Sequence, residues 1–387
     1  MKREFHARFR ENVRVKFPCV TRLILNESNL NHKKTINKEN LCYKPIIMKT
    51  LKNLLFAFLI ILTSCTKIVK NDDDDFTYET IVTELPVNLE NINSTFDDYN
   101  SNLPYPGFRH GIYFSTNRNS SGNNFDIIHK SMDISYHPKD DILNISFVSD
   151  MNSNNKYANK VLETINSDFD EFGPFYFFGD EAFEYFFYAN NESGDFDIKY
   201  ASSKKLDFGT YNAKEIINEP KSFVSINSEY DDMYPCIFNG NKSLVFCSNR
   251  EMGIFNIYES TFNEEAINPN YQSAITQEII KVNALSSDFN DKCPFVLGNI
   301  MVFTSDRKGG YGGFDLYFSQ YLNGKWSQPQ NLGDKINSEY DEYRPIIVPF
   351  SEFDDTMLIF SSNKPGGKGG FDLYAARTKT LPKLNSY

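Results

Sequence analysis

Ser305-Asp306-Arg307-Lys308-Gly309-Gly310-Tyr311-Gly312-Gly313-Phe314-Asp315-Leu316-Tyr317 returns 57 residues later as Ser362-Asn363-Lys364-Pro365-Gly366-Gly367-Lys368-Gly369-Gly370-Phe371-Asp372-Leu373-Tyr374. Toward the N-terminus the same pattern loosens. Tyr113 to Arg118 precedes Phe125-Asp126-Ile127, Phe187 to Asn191 precedes Phe196-Asp197-Ile198, and Phe246 to Arg250 precedes Phe255-Asn256-Ile257. Asp126, Asp197, Asn256, Asp315 and Asp372 follow one another at 71, 59, 59 and 57 residues. A second motif opens each unit: Ile92-Asn93-Ser94-Thr95-Phe96-Asp97-Asp98, then copies ending in Asp170-Glu171, Asp231-Asp232, Asn290-Asp291 and Asp341-Glu342. Two coupled motifs at near-constant spacing are the signature of a repeat architecture.

Each unit reads as short strands punctuated by turns. Ile237-Phe238, Asn239-Gly240-Asn241 and Leu244-Val245-Phe246-Cys247 form a hairpin pattern. The paired glycines of 309–313 and 366–370 supply residues able to take positive φ at the next turn. Phe-Asp-Leu-Tyr makes a third strand, and Gly324-Lys325-Trp326-Ser327 begins a fourth. With no amphipathic helical period evident, the expected fold is all-β: a β-propeller of five four-stranded blades. A sixth blade would have to lie in the long 127–164 stretch. The N-terminal stretch from Thr77 to Glu90 parallels the Trp326–Leu332 stretch. It is expected to complete the last blade as its outer strand and so pair an exposed edge.

The motif Ser-(Asn/Asp)-Arg followed by Gly-Gly-x-Gly-Gly-Phe-Asp-(Ile/Leu)-Tyr resembles the WD40-like, TolB-type β-propeller repeat of bacterial envelope proteins. Ser305 to Tyr317 carries the whole pattern, and Ser362 to Tyr374 carries it with Lys364 in place of Arg. The first three units lack the paired glycines, and the second has Glu192 at the Arg position. The resemblance covers roughly 76–380. It implies a binding scaffold of the cell envelope.

Charge divides the chain. Residues 1–64 hold 13 Lys+Arg and 4 Asp+Glu, whereas 65–387 hold 27 and 47. Met48, Lys49 and Lys52 precede the apolar run Leu54 to Leu62, and Thr63-Ser64-Cys65 closes it, as in a secretory signal. Leu62-Thr63-Ser64-Cys65 also resembles the bacterial lipobox, which implies a lipid on the Cys65 thiol and a membrane-tethered chain. The expected organisation is an upstream over-call or disordered extension at 1–47, a signal at 48–64, an acidic tether at 65–76 and a propeller at 77–387. Asp72 to Asp75 would be solvated linker. Acidic residues after such a Cys resemble a surface-export signal of Bacteroidetes-type lipoproteins; which side of the outer membrane the chain faces stays open.

Candidate chemistry is sparse. An acidic chain without basic runs argues against nucleic acid. Nothing resembles a phosphate cradle, so no nucleotide is expected, and no cofactor or metal motif is present. Asp126, Asp197, Asn256, Asp315 and Asp372 recur once per unit, so a turn-capping role is expected, with the carboxylates accepting backbone N–H groups. Arg118, Arg250, Arg307 and Lys364 are expected to bridge within or between blades. Cys236 and Cys247 flank one hairpin, where either a disulfide or two buried thiols fit. Asp97, Asp98, Asp170, Glu171, Asp231, Asp232, Asp291, Asp341 and Glu342 are expected near one mouth of the channel. Repetition favours a non-catalytic scaffold for an envelope protein or polysaccharide. The alternative is a glycan-active hydrolase using two of those carboxylates.

Overall fold

The computed structural model describes residues 67–70, 76–104, 110–148, 156–179, 183–206, 214–262, 278–348 and 355–382. The export signal, Cys65 and Asp72 to Asp75 lie outside them, as does all of 1–47. Five antiparallel sheets form a five-bladed propeller, and the innermost strands of successive blades pack against one another around the ring, the fifth against the first. From the centre outward, blade two runs Glu171–Phe178, Phe183–Asn190, Asp197–Leu206 and Lys214–Ser222. Blades three to five start from Asp232–Phe238, Asp291–Leu297 and Glu342–Val348.

The second strand of every blade is sandwiched between neighbours on both faces, so its sequence is an apolar run rather than an alternation. Ser243–Ser248 is buried at every position, as are Ile300–Ser305 and Thr356–Ser362. Each contributes one fully buried ring to the interior, giving Phe114, Phe187, Phe246, Phe303 and Phe360. In blades two to five that ring stacks on a tyrosine of the third strand, at 5.5 Å for Phe187–Tyr200 and 5.8 Å for Phe246–Tyr258. Such stacks add to the area buried, by about 0.5–1.5 kcal/mol per pair.

The chain enters the ring in two steps: the N-terminal stretch closes the last blade as expected, but only through Val87–Asn88. Phe76–Val82 lies on the outer edge of blade one, paired with Ile142–Val148, and Lys67–Lys70 pairs outside it. Residues 67–70 are thus hydrogen-bonded strand, where a solvated tether was expected. Val87–Asn88 alone supplies the outer strand of blade five, opposite Ala375 and Tyr374. Blade one therefore has six strands, and its innermost is Asp98–Asn102. The long stretch after residue 127 forms the outer strands of blade one and a helix, Lys156–Ile165 (α1). α1 overturns the expectation of a chain without helical period: Ala158, Val161, Leu162 and Ile165 recur at i, i+3, i+4 and i+7 and are buried. They form a core of their own with Tyr113, Ile127 and Tyr188.

Cys236, Cys247 and Cys293 are free and buried. Cys247 stands opposite Met233, whereas Cys236 stands opposite Val245 and accepts the Val296 N–H from the next blade at 3.3 Å. The register thus sends the two thiols to different partners, and the two-thiol alternative holds.

Candidate functional site

Repeated carboxylates first meet repeated cations. Asp98, Asp232 and Asp291 open the innermost strands of blades one, three and four and are fully buried. Each takes an Arg Nη2 from its own blade at 2.5 Å: Arg118, Arg250 and Arg307 respectively. The same Nη2 donates to the carbonyls of Ile92, Ile226 and Leu285 at 2.7 Å, which holds each opening motif down. Blades two and five lack the arginine and carry a longer carboxylate. Glu171 accepts from Ser167 Oγ and Asn190 Nδ2, and Glu342 from Ser338 Oγ and Ser362 Oγ. Burial raises both, Glu171 to about 7. Glu192, at the arginine position of blade two, turns outward to Lys199. Lys364 makes no ion pair among the described residues; its ammonium lies 3.9 Å from the centre of the Tyr374 ring, and burial lowers it.

The preceding residue of each pair joins blades. Asp97, Asp170, Asp231 and Asp341 accept the N–H of Phe371, Phe125, Phe196 and Phe314, each just before the third strand of the neighbouring blade, at 2.9–3.1 Å. Their backbone N–H groups bond to the amides of Asn117, Asn191, Asn249 and Asn363. Blade four inverts the pair: Asn290 holds Phe255 while Asp306 accepts from Asn290. Asn93, Asn166, Asn227 and Asn337 add a second clasp, accepting the N–H and donating to the carbonyl of Leu373, Ile127, Ile198 and Leu316.

The third-strand residues act at turns. Asp315 accepts from the backbone of Tyr311 and Gly312, and Asp372 from Lys368 and Gly369. In blades one and two, which lack the paired glycines, Asp126 takes the Asn119 amide and Asp197 the Ser193 hydroxyl. Asn256 donates instead to the Ile254 carbonyl.

Every innermost strand carries a bulge, and its third residue takes positive φ: Asn100, Gly173, Tyr234, Cys293 and Arg344 lie between 48° and 61°. The residues just before them, Tyr99, Phe172, Met233, Lys292 and Tyr343, form a collar. Tyr99 packs 5.4 Å from Phe172 and 5.6 Å from Phe371 by ring centres, and is half-buried at the mouth. Burial moves its phenol well above the ordinary value, followed by the charges of Asp97 and Asp170. Tyr99 packs against Phe371 and Phe125, whose N–H groups are held by these two carboxylates of adjacent blades. Burial also raises Asp97. Nine carboxylates are expected at the mouth from the sequence. Of these, Asp98, Glu171, Asp232, Asp291 and Glu342 are buried beneath it, whereas Asp97, Asp170, Asp231 and Asp341 stay partly open.

A second concavity, of about 520 Å³, lies where α1 meets the third strand of blade one, lined by Arg118, Asn119, His129, Lys130, Asn159 and Glu163 among others. Burial lowers His129 to about 4, so it is neutral there. No group of three metal-ligating side chains occurs among the described residues.

No family model matches the sequence, and no curated protein does. Among solved structures, an endo-arabinase from Bacteroides thetaiotaomicron is similar at 13% identity, covering 78% of this chain and 99% of that one, with a TM-score of 0.47. An α-L-arabinofuranosidase from Podospora anserina, in complex with cellotriose, is similar at 11% identity, 76% and 95% coverage and a TM-score of 0.43. A TolB from Agrobacterium tumefaciens matches over 54% of this chain and 75% of its own, at 11% identity and a TM-score of 0.31. At these identities the likeness concerns the fold. The expectation of a non-catalytic scaffold is withdrawn: the propellers matched over nearly their whole length are themselves an endo-arabinase and an arabinofuranosidase, and that likeness is one of fold.

Proposed function

We propose that this protein is a glycan-active hydrolase working at the mouth of its channel, with Asp97 as proton donor and Asp170 as the carboxylate that faces it. The observation that carries this reading is the packing of the half-buried Tyr99 against Phe371 and Phe125, whose N–H groups are held by Asp97 and Asp170 of adjacent blades; burial raises Asp97. Glycoside cleavage needs a carboxyl that still holds its proton and a second carboxylate to act as base or nucleophile. Tyr99 and Phe125, whose ring centres lie 5.1 Å apart, offer apolar faces against which a sugar ring can lie. In the same reading the enzyme is carried on the cell envelope by a lipid on Cys65, and its ligand is a polysaccharide.

The test is hydrolysis of a polysaccharide panel beginning with arabinan. D97N and D170N should each lower kcat by about 10²–10⁴-fold with the fold intact. D231N, the equivalent position in blade three, should leave it unchanged. Absence of cleavage by the wild type, or an equal loss in D231N, overturns the reading. Incorporation of labelled palmitate into the wild type but not into C65A tests the anchor.

A further inference from the structure

Blade one departs from the other four at the outer side of its third strand. Tyr200, Glu259, Phe318 and Ala375, each three places after the repeated Asp or Asn, stand opposite an outer strand. The equivalent residue of blade one is His129, on the third strand Asp126–His137. There the outer strand Ile142–Val148 meets the third strand only from Met132 onward. In the other blades the outer strand runs on into the opening motif of the next blade, whereas in blade one α1 takes that place in the chain. A helix closes its backbone hydrogen bonds within itself, so α1 cannot pair with a strand edge.

Ile127 shows which way the open edge points. Its N–H and its C=O both turn outward to the side-chain amide of Asn166, at 2.9 Å each. Backbone direction alternates along a strand, so the N–H and C=O of His129 turn the same way. None of the described residues receives them. His129 lines the concavity of about 520 Å³, whose far wall is one face of α1, with Asn159, Leu162, Glu163 and Asn166 at i, i+3, i+4 and i+7. An unmet donor and acceptor on a sheet edge, with open space beside them, form a template for a further strand. Among the described residues that line the space, Arg118 and Lys130 are cations and Glu163 alone is a carboxylate, so a segment with an acidic residue fits best. We propose that this edge binds an extended, acidic peptide segment of a partner protein, added beside His129 as the missing outer strand of blade one. The site lies away from the channel mouth and does not depend on hydrolysis there.

Random heptapeptides displayed on phage and selected on the full chain should yield alternating polar and apolar sequences with one Asp or Glu. A synthetic peptide of the enriched sequence should bind the wild type and weaken by about tenfold or more on H129P, which removes the outward N–H and spares the ladder to the second strand. N159W, which fills the concavity from α1 without touching the strand, should weaken the same peptide. Methylating the peptide amides one at a time should abolish binding at every second position only, because alternate N–H groups of an added strand face the sheet. In the free protein the His129 amide should exchange with solvent faster than that of Ala375, its equivalent in blade five. No enrichment beyond a selection on H129P, full binding to N159W, or a peptide indifferent to where it is methylated would each overturn the proposal. So would a His129 amide as protected as that of Ala375, since the chain itself would then fill the edge.

Discussion

At the residue scale, the five copies in one chain behave as a small mutagenesis series. Where the second-strand turn offers an arginine, the buried carboxylate is Asp; where it does not, Glu reaches further to hydroxyl and amide donors instead. The energetic difference shows in Glu171. Its folded-state value of about 7 lies above its ordinary 4.5, so the folded state holds a proton that the unfolded chain has released. Between those values stability falls as pH rises, and above about 7 the loss is complete. The stability of E171Q relative to the wild type should therefore grow by about 3 kcal/mol from pH 4.5 to pH 8. Urea unfolding at the two pH values checks it; a difference independent of pH would refute the protonated state. Both Glu positions could be seen in the sequence, as could Glu192 and Lys364. Their meaning was not legible, because the missing ion pair is evident only once Arg118 is seen to reach Asp98.

At the element scale, blades meet through backbone as much as through side chains. Gly312 leaves no room for a Cβ against the carbonyls of Ser338 and Tyr340, and Gly369 none against that of Phe96, the opening motif of the next blade in each case. From the sequence the paired glycines are expected to form turns through positive φ. Gly309 and Gly366 do adopt positive φ, but Gly312 and Gly369 serve close approach instead. G312A should thus force blades four and five apart and cost about 1–3 kcal/mol, the range of overpacked interiors. G309A acts through a different cause, since nothing lies within 4 Å of that position. Thermal unfolding of both, with a crystal structure of G312A, separates strain from displacement; an undisplaced junction would refute the close-packing account. α1 was missed for a related reason. Its apolar spacing is regular, but a ten-residue helix between strand motifs looks like loop when the repeat is the guide.

At the scale of the whole molecule, the blade count and the ring were legible because spacing alone determines them. The content of the channel was not, since bulges turn side chains inward at positions no periodicity marks. Nor was the route of the N-terminal segment, which visits blade one, blade five and blade one again. Ring closure there joins Val87–Asn88 in the sheet, Asp97 on the Phe371 N–H, and Asn93, whose amide spans Leu373 and also donates to Asn88 at 2.9 Å. N93A strands the buried Leu373 N–H, at about 1–3 kcal/mol, while the Leu373 carbonyl keeps the Leu89 N–H. It should lower the midpoint of unfolding and hasten proteolysis near the N-terminus. N227A, between blades two and three, should match the first effect without the second. Equal proteolysis in both variants would show that closure is no weaker than any other junction.

That closure has a price in time. Asn88 donates its amide to Asp372, 284 residues further along the chain. At about 5–20 residues per second, a ribosome needs roughly 14–57 s to deliver the second partner after the first. Throughout that interval the nascent protein holds an unpaired two-residue strand, a polar amide without its mate and the outer flank of blade five not yet made. The segment that seals the ring is thus translated among the first parts of the propeller and engaged among the last, so a chaperone that shields sheet edges would act on this one longest.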